Sequence, residues 1–575
     1  MNKLAARLAR PLWIGFGLFA LSLVLRIACF ALFPHPGYPD SFYYSAVAQS
    51  LASGHGFSVD YIWSFIEVGS TVPSHGMLPI ASNAHWMPLA SLIQVPFMLV
   101  FGLNDVAGAI PFILLGAALA PLSYAFARDM LPDELRVSEV PAVLVGLLAS
   151  STGYAIEFLS QPDNFALYAV LVVLTLWIVG RLVRGDPGVK LGQRSFGTRS
   201  SLAIAGGLTG LAFLSRNDGI LLPVALSLVW LIGAIGARHH HTKAAFGFRD
   251  LLVYGVVALV VVAPWLIRQE LVFGSLSPSS ATGRILWIRT YQEIFSADGP
   301  IGPSYLFSWG WQNLLLSRLQ GALSVVVLTS VDLLFIAGGL WVLPALRHNL
   351  TRPGLRPYLI WTVVFFVWSI LVAAPHLPTG NYLHSAVALV PLLYLLLVDG
   401  LYRFAREIAH FPLFRRFSAR RIERRILFGV LCVVVIFSAA FSFSTASQWA
   451  NYHNGYEPAL AKIQSLGGEG QMVMAADPGL VWELDHTTPA IQTPGSDLAV
   501  VEQAARSYGV HWLILDRDSI VASLIPVMKG TVHPAWLAAT PVYQSPLNDP
   551  MAKPGNAQWP RITVYEVLLP PPVRP

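Results

Sequence analysis

The chain has 575 residues, of which 55% are hydrophobic and only 12% are charged, and its mean hydropathy is +0.59. A chain of this length and composition cannot be folded around one soluble core, so a bilayer must act as part of its solvent. The net charge of +6 is concentrated in connections between apolar segments, which is a topology signal, and we expect no nucleic-acid partner.

Apolar runs long enough to cross a hydrocarbon core of about 30 Å recur along the chain. In chain order we predict eleven spans, at 12–33, 107–127, 139–158, 164–183, 201–216, 219–237, 251–268, 320–346, 357–374, 381–402 and 426–446. The expected fold class is therefore mainly α, a polytopic transmembrane helical protein in contact with membrane lipids.

Segment 88–103 decides the topology, because its 16 residues with Pro96 at the centre leave a span ambiguous. If this segment lies on the membrane, the N-terminus and the basic connections at 181–199, 238–249, 347–356 and 403–425 all face the cytoplasm. The last connection holds eight arginines, and such clusters are retained inside. We therefore predict an interfacial or re-entrant helix at 88–103 and a cytoplasmic N-terminus.

Eleven spans place the C-terminal segment outside, where the composition becomes that of a soluble protein from about residue 450. QMVMAADP, VHWLILD and RITVYEVL are typical of strands, and DLAVVEQAARSYG of an amphipathic helix. We predict a transmembrane module at 1–449, with outer loops at 34–87 and 269–319, and a small soluble extracytoplasmic α/β domain at 450–575. Cys29 and Cys432 both fall in apolar spans, so no disulfide framework is expected to support this domain.

Two outer carboxylates stand at helix starts, Asp40 after Pro39 and Asp163 after Pro162. Each could be an N-cap that only accepts amide hydrogens. Alternatively, a carboxylate at the membrane surface could act as a general base toward an acceptor that approaches from outside. Tyr44, one turn after Asp40, would line the same face. The charge argument places both acids on one side, which favours a shared cavity.

A divalent metal is the one cofactor that the sequence leaves open. The outer loop carries His55, His75 and His85 together with Asp60 and Glu67, and these could bind such an ion. Their spacing does not match a recognised ligand pattern, so chance proximity in the sequence explains them equally well.

Asp40, Tyr44, Ala48, Leu51 and Gly54 approximate the pattern D-D/E-x-x-Y-x-x-x-A-x-x-L-x-x-G. This pattern resembles the first outer loop of the GT-C superfamily of membrane glycosyltransferases, particularly the branch (family 39-like) with protein O-mannosyltransferases and lipid A aminoarabinose transferases. Ser41 stands where that family frequently has a second acid. The element 85–89 (HWMPL) loosely resembles the family's H-P-P-L element, which leads into an interfacial helix.

Further resemblances follow in the family's order. They are Pro162-Asp163 as the second acidic site, the segment from Ser215 to Gly219, and the P-W-x-x-R-like segment from Pro264 to Arg268. Late in the chain Asn381 stands where the family usually has Arg, and His384 could substitute for it. The resemblance covers about 34–400 and implies a GT-C fold.

The resemblance also implies a function. It implies an inverting glycosyltransferase, a hexosyl- or pentosyltransferase, that moves a sugar from a polyprenyl-phosphate donor to a lipid, glycan or protein acceptor outside a bacterial-type plasma (inner) membrane. Asp40 would be the catalytic base. Residues implied to bind donor or substrate are Asp163, Tyr44, His85, Arg268, Arg284, Arg289 and His384. A lone arginine at a helix end can instead extend to lipid head groups, and Arg216 is expected to pair with Asp218.

Two other classes compete with this reading. A polytopic transporter or lipid flippase would also have many spans with buried carboxylates, but no repeated half of the sequence supports it. A scaffold or receptor that binds partners through its C-terminal domain would leave the clustered outer acids without a role.

Overall fold

The computed structural model describes residues 2–570 except 154, 192–193, 240, 242–243, 277–280, 298–300, 376–380, 411–418 and 548–557. Arg415 and Arg416 of the basic connection lie outside the described residues. The first twelve helices are α1 (Asn2–Leu32), α2 (Pro39–Ala52), α3 (Leu89–Leu92), α4 (Val95–Phe101), α5 (Asp105–Met130), α6 (Asp133–Arg136), α7 (Val140–Ser151), α8 (Ala155–Phe158), α9 (Asn164–Arg184), α10 (Thr198–Ser215), α11 (Leu221–His239) and α12 (Phe248–Phe273).

Eight more helices complete the membrane module: α13 (Thr282–Ile285), α14 (Pro303–Phe307), α15 (Trp311–Leu328), α16 (Gly339–Asn349), α17 (Arg356–Leu371), α18 (Asn381–Ala386), α19 (Val390–His410) and α20 (Ala419–Ser465). Within the described residues, nine helical segments are long and apolar enough to cross a membrane. Eleven spans were predicted, and those at 139–158 and 201–216 correspond to α7 and α10, which are not among these nine. Helix α7 packs against α5, and α10 packs against α12. The predicted polytopic helical fold is confirmed.

The eighth span differs from its predicted bounds of 320–346. Helix α15 begins at Trp311 and continues into a π-helical turn at Thr329–Leu333, and α16 begins only at Gly339. Between them Phe335 (φ 52°) and Ile336 (φ 65°) take left-handed backbone conformations. The turn packs tightly on α7's end, since a Cβ built on Gly153 would lie 2.9 Å from the Asp332 carbonyl oxygen. The continuous apolar sequence at 320–346 therefore does not form one continuous helix.

Segment 88–103 forms the two short helices α3 and α4, of four and seven residues. Neither is long enough to cross a bilayer. Apolar side chains at Leu99, Val100 and Phe101 are exposed, as expected for a helix that contacts lipid. The prediction of interfacial helices is confirmed.

The C-terminal part holds helices α21 (Pro478–Leu484), α22 (Leu498–Tyr508) and α23 (Ile525–Met528). Strands in the chain are β1 (Ser58–Val59), β2 (Tyr61–Ile62), β3 (Ile80–Ala81), β4 (Lys190–Leu191), β5 (Arg194–Ser195), β6 (Val473–Ala475), β7 (Ala490–Gln492), β8 (Trp512–Asp516), β9 (Tyr543–Gln544) and β10 (Ile562–Glu566). The predicted strands at β6, β8 and β10 and the predicted helix at α22 all form.

A six-stranded sheet has the order β2-β7-β6-β8-β10-β9. Strands β2, β7, β6 and β8 pair in parallel, and β10 is antiparallel to β8 and β9. Strand β2 belongs to the loop at 34–87, so this loop supplies an edge of the C-terminal sheet. We call the described residues from 466 onward, together with β2, the sheet domain. Helix α20 reaches it directly by extending to Ser465.

Candidate active site

A cavity of about 840 Å³ opens on the side of the membrane module that carries the sheet domain. Helices α1, α10 and α17 end on this side, and α2, α9 and α18 begin here, so side chains from distant parts of the sequence converge. The polar residues that line it include Tyr38, Asp40, Tyr44, His85, Asn164, Ser215, Arg216, Asn217, Asp218, Asp332 and His384. The volume is in the range of sites that hold small organic ligands.

His384 lies between the two predicted carboxylates. Its Nε2 atom is 3.1 Å from Asp40 Oδ2 and 2.9 Å from Asp163 Oδ2. The Asp163 side chain is fully buried, whereas that of Asp40 is 26% exposed. Of the two acids, Asp40 is therefore the one that can meet a molecule in the cavity.

The two acids are positioned by different local means. The N-cap of α2 is Tyr38, so Asp40 stands in the first turn, and the N-cap interpretation of Asp40 is wrong. Asp163 is the N-cap of α9 and accepts from the Asn164 amide, as capping predicts. It also accepts a 2.7 Å hydrogen bond from the Tyr38 hydroxyl. Asp163 therefore caps α9 and also contacts His384 and Tyr38.

The charge of Asp40 is maintained by its neighbours. Burial by itself would raise the pKa of the Asp40 carboxyl, but the hydrogen bond and charge of His384 outweigh burial and hold that pKa below its usual value. The charges of His85 and Arg216 act in the same direction. Asp40 is therefore a carboxylate at neutral pH, able to accept a hydrogen bond or a proton.

Among the described residues that line this cavity, Arg216 is the only arginine. The expected pair forms, with Arg216 Nε 2.8 Å from Asp218 Oδ2. Ser385 joins both residues, since its hydroxyl accepts from Arg216 at 2.8 Å and donates to Asp218 at 2.5 Å. The guanidinium is thus held beside His384, the neighbour of Ser385 in the chain.

The structure places the three arginines proposed from the resemblance outside the lining of this cavity. Arg268 donates to the Ser82 carbonyl at 2.9 Å and lies 4.8 Å from the Phe57 ring centroid, so it fastens the first loop to α12. Arg289 donates to Tyr305 and Ser308 within its own loop. Arg284 lies beside Gly69. A contact between distant parts of the sequence thus holds the Arg268 side chain, and contacts within one loop hold that of Arg289.

Tyr44 and His85 do line the cavity. The Tyr44 hydroxyl accepts from Asn164 Nδ2 at 2.9 Å, and the His85 ring stacks on Trp63 at 5.5 Å between centroids. Trp63 belongs to an aromatic wall that no sequence motif indicates. It is formed by Trp63, Trp86, Phe158, Phe165, Tyr291, Phe295, Trp368 and Trp449. The Phe165 ring stacks on His384 at 3.9 Å. Aromatic residues are frequent at membrane interfaces, so composition alone gave no signal for this wall.

Asp40, Asp163 and His384 also form a group that could hold a divalent cation, because one ligand atom from each lies within 4.8 Å of the others. The outer-loop residues that the sequence suggested as metal ligands do not form such a group. They are His55, Asp60, Glu67, His75 and His85. Among the described residues the only other such group is His35, Asp105 and Glu483. His55 and His75 are exposed, and Glu67 is buried with its Oε2 atom accepting from the Trp63 amide at 3.2 Å.

Comparison with known proteins finds likeness at the level of structure. No family model and no curated protein sequence matches the chain. ArnT from Cupriavidus metallidurans in the apo state is similar with a TM-score of 0.57 and 15% identity, over 98% of this chain and 100% of that one. ArnT bound to undecaprenyl phosphate gives a TM-score of 0.55 and 14% identity, over 96% of this chain and 98% of that one.

The oligosaccharyltransferase from Archaeoglobus fulgidus in complex with Zn and sulfate is also similar, with a TM-score of 0.50 and 13% identity. That match covers 87% of this chain and 68% of the other. Identities this low show a common fold and leave the chemistry to be argued from the site. The chain has the fold of the GT-C membrane glycosyltransferases, as its ordered motifs predicted.

Proposed function

We propose that this protein is an inverting glycosyltransferase that moves a sugar from a polyprenyl-phosphate carrier to an acceptor on the outer face of the membrane. The observation that carries the proposal is the partly exposed Asp40 carboxylate, held 3.1 Å from His384 in a cavity lined by aromatic side chains. ArnT, which shares the fold, has been solved with undecaprenyl phosphate bound. We place the cavity outside because the basic connections face the cytoplasm under the positive-inside bias.

Asp40 acts as the general base in this proposal. The acceptor hydroxyl, or phosphate, gives its proton to Asp40 as its oxygen bonds to the anomeric carbon of the sugar. The bond from that carbon to the phosphate oxygen breaks on the opposite face, so polyprenyl phosphate leaves with the electron pair and the configuration inverts. His384 and Asp163 position Asp40, and the aromatic wall excludes water from the sugar.

Arg216 contacts the leaving phosphate in this proposal, in place of Arg268, Arg284 and Arg289. Negative charge grows on the phosphate as its bond to the sugar breaks, and a cation in a cavity of low dielectric stabilises that charge. Arg216 lines the cavity and has its orientation set by Asp218 and Ser385. His384 lies next in the chain to Ser385, so base and phosphate site are adjacent.

The test uses the full-length protein in proteoliposomes with a panel of radiolabelled undecaprenyl-phosphate sugars and a membrane extract that supplies acceptors. Wild type is expected to release undecaprenyl phosphate as label enters an acceptor, and Asp40→Asn to lose about 10²- to 10⁴-fold in rate. Asp60→Asn is the matched control, since Asp60 is exposed in the same loop. Full activity of Asp40→Asn would overturn the assignment of the base.

The same proteoliposomes distinguish transfer from transport. A fluorescent undecaprenyl-phosphate analogue is added to one leaflet, and its appearance in the other is followed by quenching. Movement of the analogue with no transfer from any donor in the panel would favour a flippase over the proposed enzyme.

A further inference from the structure

A second group of metal-ligating side chains lies apart from the cavity. It consists of His35 in the turn before α2, Asp105 at the start of α5 and Glu483 in α21, and none of the three lines the cavity. His35 Nδ1 is 2.8 Å from Asp105 Oδ2. One ligand atom from each residue lies within 4.8 Å of the other two. The fold thus brings together three positions that are far apart in sequence.

The charges of this group are not balanced by other side chains. Among the described residues, Asp105 forms an ion pair with His35, and no arginine or lysine forms one with Asp105 or Glu483. Glu483 Oε2 is buried and has no N–H or hydroxyl donor within the described part of the chain, while the Glu483 carboxyl lies against that of Asp105. A buried carboxylate oxygen without a donor is costly, and a second carboxylate nearby adds repulsion. A bound cation would remove both costs.

The ligand set selects the kind of cation. One imidazole nitrogen with two carboxylate oxygens suits Zn²⁺, which takes three protein ligands and completes a tetrahedron with water. Mg²⁺ and Ca²⁺ prefer ligand sets made of oxygen alone. The His35 side chain is 51% exposed, which gives an ion from solution access to the group.

We propose that His35, Asp105 and Glu483 bind a Zn²⁺ ion that ties the sheet domain to the membrane helices. Glu483 belongs to the sheet domain, whereas Asp105 begins a membrane span and His35 follows one. Helix α21 also packs on α2, the helix that carries Asp40. The ion is structural in this proposal, holds α21 against the start of α2, and does not depend on the proposed transferase activity.

The test is zinc binding to the purified full-length protein in detergent, after chelation and dialysis against ZnCl₂. Bound zinc is counted by mass spectrometry of the metal. We expect Glu483→Gln and His35→Gln each to bind one zinc per chain fewer than wild type, and His55→Gln, an exposed matched control, to lose none. Zinc at Asp40, Asp163 and His384 would be common to all these proteins and would cancel in the difference.

Thermal unfolding gives a second readout that does not need activity. Zinc should raise the unfolding midpoint of wild type more than that of His35→Gln, and MgCl₂ at the same concentration should not reproduce the difference. Zinc-free Glu483→Gln should be at least as stable as zinc-free wild type, because it removes an uncompensated carboxylate. Equal zinc content in wild type and both site variants would overturn the proposal. The proposal would also be overturned if zinc shifted the unfolding midpoints of wild type and both site variants equally, while acid stabilised wild type alone. Asp105 and Glu483 would then share a proton instead of a zinc ion.

Discussion

The Nε2 atom of His384 lies 3.1 Å from the Asp40 carboxylate, across 344 positions of the sequence. This contact, together with the 2.9 Å contact to Asp163, makes His384 the residue that sets the charge of the proposed base. In the family pattern an arginine stands shortly before this position, where this chain has Asn381, whose side chain lies outside the described residues. In the proposed mechanism His384 therefore acts on Asp40, and not on the donor phosphate as the resemblance implied.

Replacing His384 with Asn should shift the acid limb of the kcat/KM–pH profile to higher pH. His384 holds the pKa of Asp40 below its usual value against the opposing effect of burial. Its loss leaves only the charges of His85 and Arg216 to oppose burial, so that pKa should rise. The rate falls as Asp40 is protonated, so the acid limb of kcat/KM should shift to higher pH, with about a tenfold loss at pH 7. His55→Asn should keep the wild-type limb. A loss of rate with an unmoved limb would make His384 merely structural.

Arg216→Gln should weaken binding of the carrier phosphate. A charge-assisted contact contributes about 1.5–3 kcal/mol, so the Kd for undecaprenyl phosphate should rise about 10- to 100-fold. Native mass spectrometry of the protein with undecaprenyl phosphate measures this without a known sugar. Arg284→Gln is the matched control and should bind within about twofold of wild type, because Arg284 does not line the cavity. If Arg284→Gln weakened undecaprenyl-phosphate binding more than Arg216→Gln, the phosphate would be bound by the loop arginines instead.

Glu67 should make stability fall as pH rises. Burial raises the pKa of its carboxyl from 4.5 to about 8, although its hydrogen bonds act the other way. Between these values the folded protein binds more protons than the unfolded one, so the free energy of unfolding decreases by up to about 1.4 kcal/mol per pH unit. Glu67→Gln should flatten the fall of the thermal midpoint from pH 5 to 8. Glu469→Gln, at an exposed site, should retain it.

Local sequence signals identified the acids but not the arginine contacts. Asp40 and Asp163 follow prolines at helix starts, and the spacing of apolar runs placed both on one side, which tertiary packing then brought within reach of His384. Arg268 carries the same kind of local signal at a helix end. The direction of its guanidinium, however, is set by Ser82 and Phe57, which are 186 and 211 positions away in the sequence. Side-chain direction of this kind is set by long-range contacts, which a motif does not encode.

Regular elements with long periodic patterns were likewise predictable, whereas short pairings were not. Hydropathy averaged over a window located the spans, and the same averaging hid the break at Phe335 and Ile336, because neither residue type marks a left-handed backbone. Strand β2 is two residues long, and its partner β7 is over 400 positions away. Its pairing with Ala490 and Ile491 has no local signature. That pairing joins the first loop to the sheet domain.

Residues of the sheet domain form hydrogen bonds to segment 281–297, which lines the cavity. The Ser496→Ala substitution tests whether these bonds hold the segment in place. The Ser496 hydroxyl accepts from the Ala297 amide at 3.0 Å, and the Gly495 amide donates to the Phe295 carbonyl at 2.7 Å. Segment 281–297 supplies five lining residues, which are Ile285, Leu286, Tyr291, Ile294 and Phe295. Because a lost hydrogen bond to a buried amide costs about 1 kcal/mol, the Ala297 amide should exchange about fivefold faster.

The looser segment should also raise the KM for the donor severalfold and leave kcat nearly unchanged, because Ser496 does not line the cavity itself. Ser523→Ala is the matched control, since its hydroxyl has no hydrogen-bond partner among the described residues of the same domain. Hydrogen exchange resolved by mass spectrometry distinguishes the two variants. If Ser496→Ala exchanged and reacted as wild type does, the sheet domain would contribute to the cavity only through strand β2.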